Sequence, residues 1–167
     1  MQGSVVWSQS FWYFLPDGVG KLEFTPETLE YFISFQQKRP QDKEAGGQLF
    51  WEYAPAGHKR VALITGPRLT DRRSRTNYKA DHKQEQVEID RCYRQGLYFL
   101  GDWHTHPEDI ARPSASDIES IQEIYRRSRS SGPGFLLVIV GTRPLCEGLN
   151  VSWCNGEVVG LTRLAKP

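Results

Sequence analysis

The sequence predicts a single α/β domain built on a mixed sheet, and three observations predict it. A chain of 167 residues and 19.2 kDa has the length of one domain and can bury most of the surface its unfolded form exposes. Helical and strand-like patterns alternate along it, with no repeat, low-complexity tract or interior linker between them. One run, Phe135-Leu136-Leu137-Val138-Ile139-Val140, is apolar at every position, as a strand buried on both faces must be. With 38% hydrophobic and 25% charged residues the composition excludes disordered and fibrous classes.

The first readable element begins at Thr25-Pro26-Glu27, an N-cap threonine, a proline at the first helical position and an acid in the first turn. Leu29, Phe32, Ile33 and Gln36 then mark one face of a helix running to about residue 39. After a polar break, 46–53 and 60–65 read as two strands about a turn at 54–58, and they are expected to pair as a hairpin. Residues 66–78 combine turn residues, charges and no period, and so read as a loop. Asp81 opens a second helix that Gly96 closes. A short strand follows at 97–103, then a loop at 104–113 bounded by prolines. Ser114 with Asp117 starts a third helix whose stripe is Ile118, Ile121 and Tyr125 and which Gly132-Pro133-Gly134 ends. Beyond the apolar strand at 135–140, segments 149–154 and 157–164 flank Asn155-Gly156, a two-residue hairpin signal.

No apolar run approaches the roughly 18 residues of a membrane-spanning helix, and the aromatic stretch Phe11-Trp12-Tyr13-Phe14 is too short and too poorly flanked for a signal peptide, so a cytoplasmic protein is expected. Cys92, Cys146 and Cys154 form no C-x-x-C pair, which argues against a disulfide framework or a four-cysteine metal site and for reduced thiols. The net charge of +1 argues against bulk affinity for nucleic acid or anionic lipid. It conceals a basic block at 59–83, with 8 basic and 2 acidic residues, followed by an acidic block at 84–123, with 3 and 9.

Chemistry concentrates in Gly101-Asp102-Trp103-His104-Thr105-His106-Pro107 and Pro113-Ser114-Ala115-Ser116-Asp117. In an extended segment, residues two apart project to one face about 7 Å apart, so His104 and His106 can converge on an ion while Thr105 points away. Asp117, in the first turn of the next helix, is favoured there by the helix dipole and can face the histidines. Two imidazoles and a carboxylate are the three-ligand set of catalytic zinc, which leaves a fourth position open. The alternative is a pair of solvated loop histidines beside an ordinary helix cap. Metal-assisted hydrolysis also needs a base and an oxyanion donor. Glu44, before Gly46-Gly47, is either that base or a solvated linker acid; Ser114 is a cap, a hydroxyl donor, or both.

Glu44 with its Gly-Gly, His104-Thr105-His106-Pro107, Ser114 and Asp117 resemble the E…H-S/T-H-P-x6-S-x-x-D signature of JAMM (MPN-plus) zinc metalloproteases. The resemblance implies a single MPN domain over residues 1–167, a curved mixed sheet flanked by helices and similar to cytidine deaminases. It implies one zinc on His104, His106 and Asp117, Glu44 as general acid/base, and Ser114 polarising the scissile carbonyl. The family cleaves peptide or isopeptide bonds, commonly after the C-terminal glycine of ubiquitin or a ubiquitin-like protein. Thr65-Gly66-Pro67 and Arg72-Arg73-Ser74-Arg75-Thr76 extend the resemblance to stand-alone bacterial JAMM peptidases encoded beside E1- and E2-like proteins. These include the deconjugases of CBASS antiphage operons, which free targets from the C-terminus of a cGAS-like nucleotidyltransferase (CD-NTase).

The leading expectation is therefore a zinc isopeptidase reversing such a conjugation. Alternatives are a peptidase of another bacterial ubiquitin-like system or one trimming a sulfur-carrier precursor, and a non-catalytic MPN scaffold. The basic loop, with Arg72, Arg73 and Arg75, is expected to border the cleft and hold the extended tail of the substrate or an acidic patch on its partner.

Overall fold

The computed structural model describes residues 9–128 and 132–165. In chain order the elements are β1 (Phe11–Leu15), β2 (Gly20–Phe24), α1 (Pro26–Phe35), β3 (Gly46–Tyr53), β4 (Lys59–Ile64), β5 (Arg72–Ser74), β6 (Asn77–Lys79), α2 (His82–Arg94), β7 (Tyr98–Thr105), α3 (Ala115–Ser128), β8 (Phe135–Val140), the one-turn α4 (Leu145–Gly148), β9 (Leu149–Cys154) and β10 (Val158–Gly160). Eight strands form one sheet in the order β1-β2-β4-β3-β7-β8-β9-β10, and β5-β6 stand apart as a small hairpin. The sheet is mixed: β2-β4 and β7-β8 are parallel and the remaining neighbours antiparallel.

β8 is buried at all its positions and divides the interior in two. Leu136, Val138 and Val140 join Leu29 and Phe32 of α1, Trp103 and Trp153 in the larger core, whereas Phe135, Leu137 and Ile139 pack with Ile121 of α3, Ala111 and Cys154. Each such side chain contributes about 1.5–3 kcal/mol on burial, which is why the strand carries no polar residue. Cys92 and Cys154 are buried, Cys146 is exposed, and all three are free thiols.

Helix signals set by local chemistry agree closely with the structure. The Thr25 hydroxyl caps α1 and the Asp81 carboxylate caps α2. At the far end of α2, Gly96 at φ 77° lets its own N–H and that of Leu97 reach back to Tyr93 and Cys92, a Schellman end. β3 and β4 pair as the expected hairpin.

Several expectations are corrected. α1 stops at Phe35, not near 39, because Gln36 turns its amide to the carbonyls of Gly141 and Arg143 and Gln37 turns its own to Asp42 and Arg75. The N-terminal aromatic stretch, assigned to no element, is β1, paired with β2; residues 1–8 lie outside the described chain. The loop at 66–78 contains most of the β5-β6 hairpin, whose three-residue strands are too short to show a period. β7 runs on to Thr105, so His104 lies on a strand and not in a loop, held between β3 and β8. Cys154 pairs with Val158, so the last hairpin has a three-residue turn; Asn155 is drawn to Asp17, 3.0 Å away. β10 ends at Gly160, short of the expected 164. The expected end of α3 at 132–134 follows residues 129–131, which lie outside the described chain.

Candidate functional site

β3 and β7 are neighbours at the centre of the sheet, and their register brings two distant sequence motifs together. Gly46 lies opposite His104, and Ala45 and Thr105 continue the pairing, with Thr105 N–H donating to the Ala45 carbonyl at 2.8 Å. Glu44 thereby comes level with His106. The alternation of the strand turns Thr105 away from the histidines, as expected. Its buried hydroxyl accepts from Ala45 N–H at 2.9 Å and donates to Gln37 Oε1 at 2.9 Å. The residue between the two histidines thus ties the end of β7 to the segment that leads from Glu44 into β3.

Gly46 and Gly47 let neighbouring segments lie close against the start of β3. A Cβ on Gly47 would lie 1.9 Å from the Thr65 carbonyl oxygen, and one on Gly46 2.6 Å from the Tyr78 ring, so neither position admits a side chain.

Asp117 arrives from α3. Ser114 N–H donates to Asp117 Oδ2 at 2.7 Å and Asp117 N–H to Ser114 Oγ at 3.2 Å, the reciprocal pair of a capping box. The cap fixes the carboxylate on the first turn facing β7. His104 Nε2 lies 3.1 Å from Asp117 Oδ1, His106 Nε2 3.2 Å from Asp117 Oδ2, and the two Nε2 atoms 3.1 Å apart. The three donor groups lie within 4.8 Å of one another. Convergent imidazole and carboxylate lone pairs of this kind suit a divalent first-row metal. On the far side of the ring, His106 Nδ1 is 3.5 Å from Glu108 Oε2, within ion-pair range.

Burial opposes charge on Asp117, but hydrogen bonds from His104 and His106 outweigh it and hold the carboxyl far below its usual range. Burial likewise opposes charge on His106, while Asp117, Glu44 and Glu108 raise its pKa on balance. Glu44 is only 5% exposed, and its carboxyl is pushed up to about 7. Burial is the main cause; the His106 imidazole pulls it down and Asp117 and Glu108 push it up. A carboxyl poised near neutrality can both take and return a proton. Ser114 is exposed, with its hydroxyl 3.0 Å from that of Ser116, and so stands open to an incoming substrate.

The arginines of the basic loop lie on and beside the β5-β6 hairpin. Arg72 is exposed; Arg73 Nε donates to the Glu44 carbonyl at 2.6 Å; Arg75 Nη1 donates to the carbonyls of Arg39 and Pro40 at 3.0 and 2.9 Å. Sequence reasoning missed Gln37 and the Arg73 contact, because both depend on where non-local chain ends up. A polar pair, Gln36-Gln37, closing an amphipathic helix was the only available signal.

Residues 27–154 match the family described as prokaryotic homologs of the JAB domain. Among curated proteins, a probable metalloprotease of Sinorhizobium fredii is 32% identical over 87% of this chain and 88% of its own. CD-NTase/cGAS isopeptidases of Vibrio cholerae and Pseudomonas aeruginosa are 36% and 34% identical, over 70% and 74% of this chain and 73% and 79% of theirs. A Desulfitobacterium hafniense protein of known solution structure shares the fold, with a TM-score of 0.56 and 20% identity over 84% of this chain and 88% of that one. With the family matched across most of its length and a His-His-Asp cluster at its centre, the chain belongs to the prokaryotic JAB family, the bacterial branch of the JAMM metallopeptidases.

Proposed function

We propose that the chain is a zinc-dependent isopeptidase that frees targets joined to the C-terminus of a CD-NTase in CBASS defence, acting in the cytoplasm against an E1/E2-like ligation. The observation that carries this reading is the triangle of His104 Nε2, His106 Nε2 and an Asp117 oxygen beside buried Glu44. Zinc bonds of about 2.0–2.1 Å in a tetrahedron hold their ligand atoms about 3.3 Å apart, close to the spacings found. His104, His106 and Asp117 would hold the ion and leave one position open. Bound there, zinc supplies Lewis acidity toward water and the scissile carbonyl. Glu44 takes a proton from the attacking water and delivers it to the departing amine. The exposed Ser114 hydroxyl donates to the oxyanion as the carbonyl becomes tetrahedral. The relatives named CD-NTase/cGAS isopeptidase favour a CD-NTase tail as the substrate.

The test is cleavage of a CD-NTase joined through its C-terminus to a target protein, by wild type and Glu44→Gln. Wild type should release free CD-NTase, and Glu44→Gln should lose about 10²–10⁴ in kcat with fold and bound zinc retained. Wild type that leaves this conjugate intact but trims a sulfur-carrier precursor would move the substrate to that class. Full activity in Glu44→Gln contradicts the proposed mechanism.

A further inference from the structure

We infer that Arg73 is a positioning residue for the Glu44 carboxylate, its guanidinium and the Ser74 carbonyl clamping both backbone polar groups of Glu44 from the β5-β6 hairpin. The inference rests on the reading of Glu44 as the general base and assigns Arg73 a role other than gripping substrate. Arg73 Nε donates to Glu44 O at 2.6 Å, and Glu44 N–H donates to Ser74 O at 2.8 Å. The next residue is held from the opposite side, since Ala45 N–H reaches the Thr105 hydroxyl and Ala45 O accepts from Thr105 N–H. The peptide group before the Glu44 Cα is therefore held by the Ser74 carbonyl, and the one after it by Arg73 on its carbonyl and by the Thr105 hydroxyl on its N–H.

The hairpin is itself anchored. Arg75 Nη1 bonds two carbonyls at 39 and 40, Gln37 Nε2 bonds the Arg75 carbonyl at 2.8 Å, and the Tyr78 ring lies against Gly46 with its hydroxyl on Asp71 Oδ2 at 2.9 Å. Along a regular sheet a backbone N–H would serve the Glu44 carbonyl; here a charged side chain does, giving a shorter and stronger bond. A proton-transfer group must stay within hydrogen-bond reach of its target, and displacement by about 1 Å costs about a hundredfold in rate.

Arg73→Met keeps the aliphatic stem but has no donor, and Arg73→Lys restores one. Both are compared with wild type and Glu44→Gln for zinc content, melting temperature, kcat and KM on the same conjugate, and hydrogen exchange of metal-free protein over residues 42–47. Arg73→Met should lower kcat about tenfold to a hundredfold with KM within about twofold and zinc unchanged, and should speed exchange at 44–45. Arg73→Lys should recover most of both. A raised KM at unchanged kcat makes Arg73 a substrate-binding residue and overturns the inference, as do wild-type exchange in Arg73→Met and equal losses in Arg73→Lys. If Glu44→Gln alone turns over normally, it is the base reading that fails.

Discussion

Glu44 occupies a place where an ionised carboxylate is costly: buried, with Asp117 and Glu108 adding negative field and His106 opposing them. Its carboxyl rises from 4.5 to about 7, and the direction of the linkage follows. Between those values the folded protein keeps a proton that the unfolded chain has released, so the contribution of Glu44 to stability falls as pH rises through that window. Glu44→Gln removes the dependence. Melts of metal-free protein should show Glu44→Gln no more stable than wild type at pH 5 and higher-melting at pH 8; an advantage for wild type at pH 8 contradicts the assignment. His104, His106 and Asp117 were legible in the sequence because a strand, a short loop and a helix cap place them by local rules. The environment of Glu44 was not, since it depends on Thr105, Gln37 and Arg73 arriving from three other segments.

At the scale of elements, the N-terminus of α3 serves two purposes through one residue. Ser114 caps the helix and offers its hydroxyl to the site, and the two can be separated because glycine at an N-cap costs only a few tenths of a kcal/mol. Ser114→Gly should melt within a few degrees of wild type while losing about a hundredfold in kcat. Unchanged kcat would reduce Ser114 to a cap. Elements with explicit punctuation were readable from sequence: the Thr25, Asp81 and Ser114 starts and the Gly96 end all stand where their chemistry puts them. β1-β2 and β5-β6 were not. Trp12 and Phe14 put apolar side chains on the outer face of β1, which hides the period-two signal, and β5 and β6 owe their pairing to tertiary anchors such as Tyr78 on Gly46.

For the whole molecule, the sheet order explains why the chemistry sits where it does. β3 and β7 are central and antiparallel, so the start of one and the end of the other meet at one rim, where α3 adds its N-terminus and the β5-β6 hairpin closes the side by Glu44. The near-zero net charge divides accordingly, with the acidic block contributing all three metal-ligand candidates and the basic block forming the hairpin beside them. No helix among the described residues is long and apolar enough to cross a membrane. The most direct test of a zinc isopeptidase at this rim is the initial rate of cleavage of a C-terminal CD-NTase conjugate by metal-stripped protein titrated with zinc. The rate should start near zero and rise in proportion to zinc, with a plateau at about one ion per chain. Full activity before any zinc is added would contradict the account.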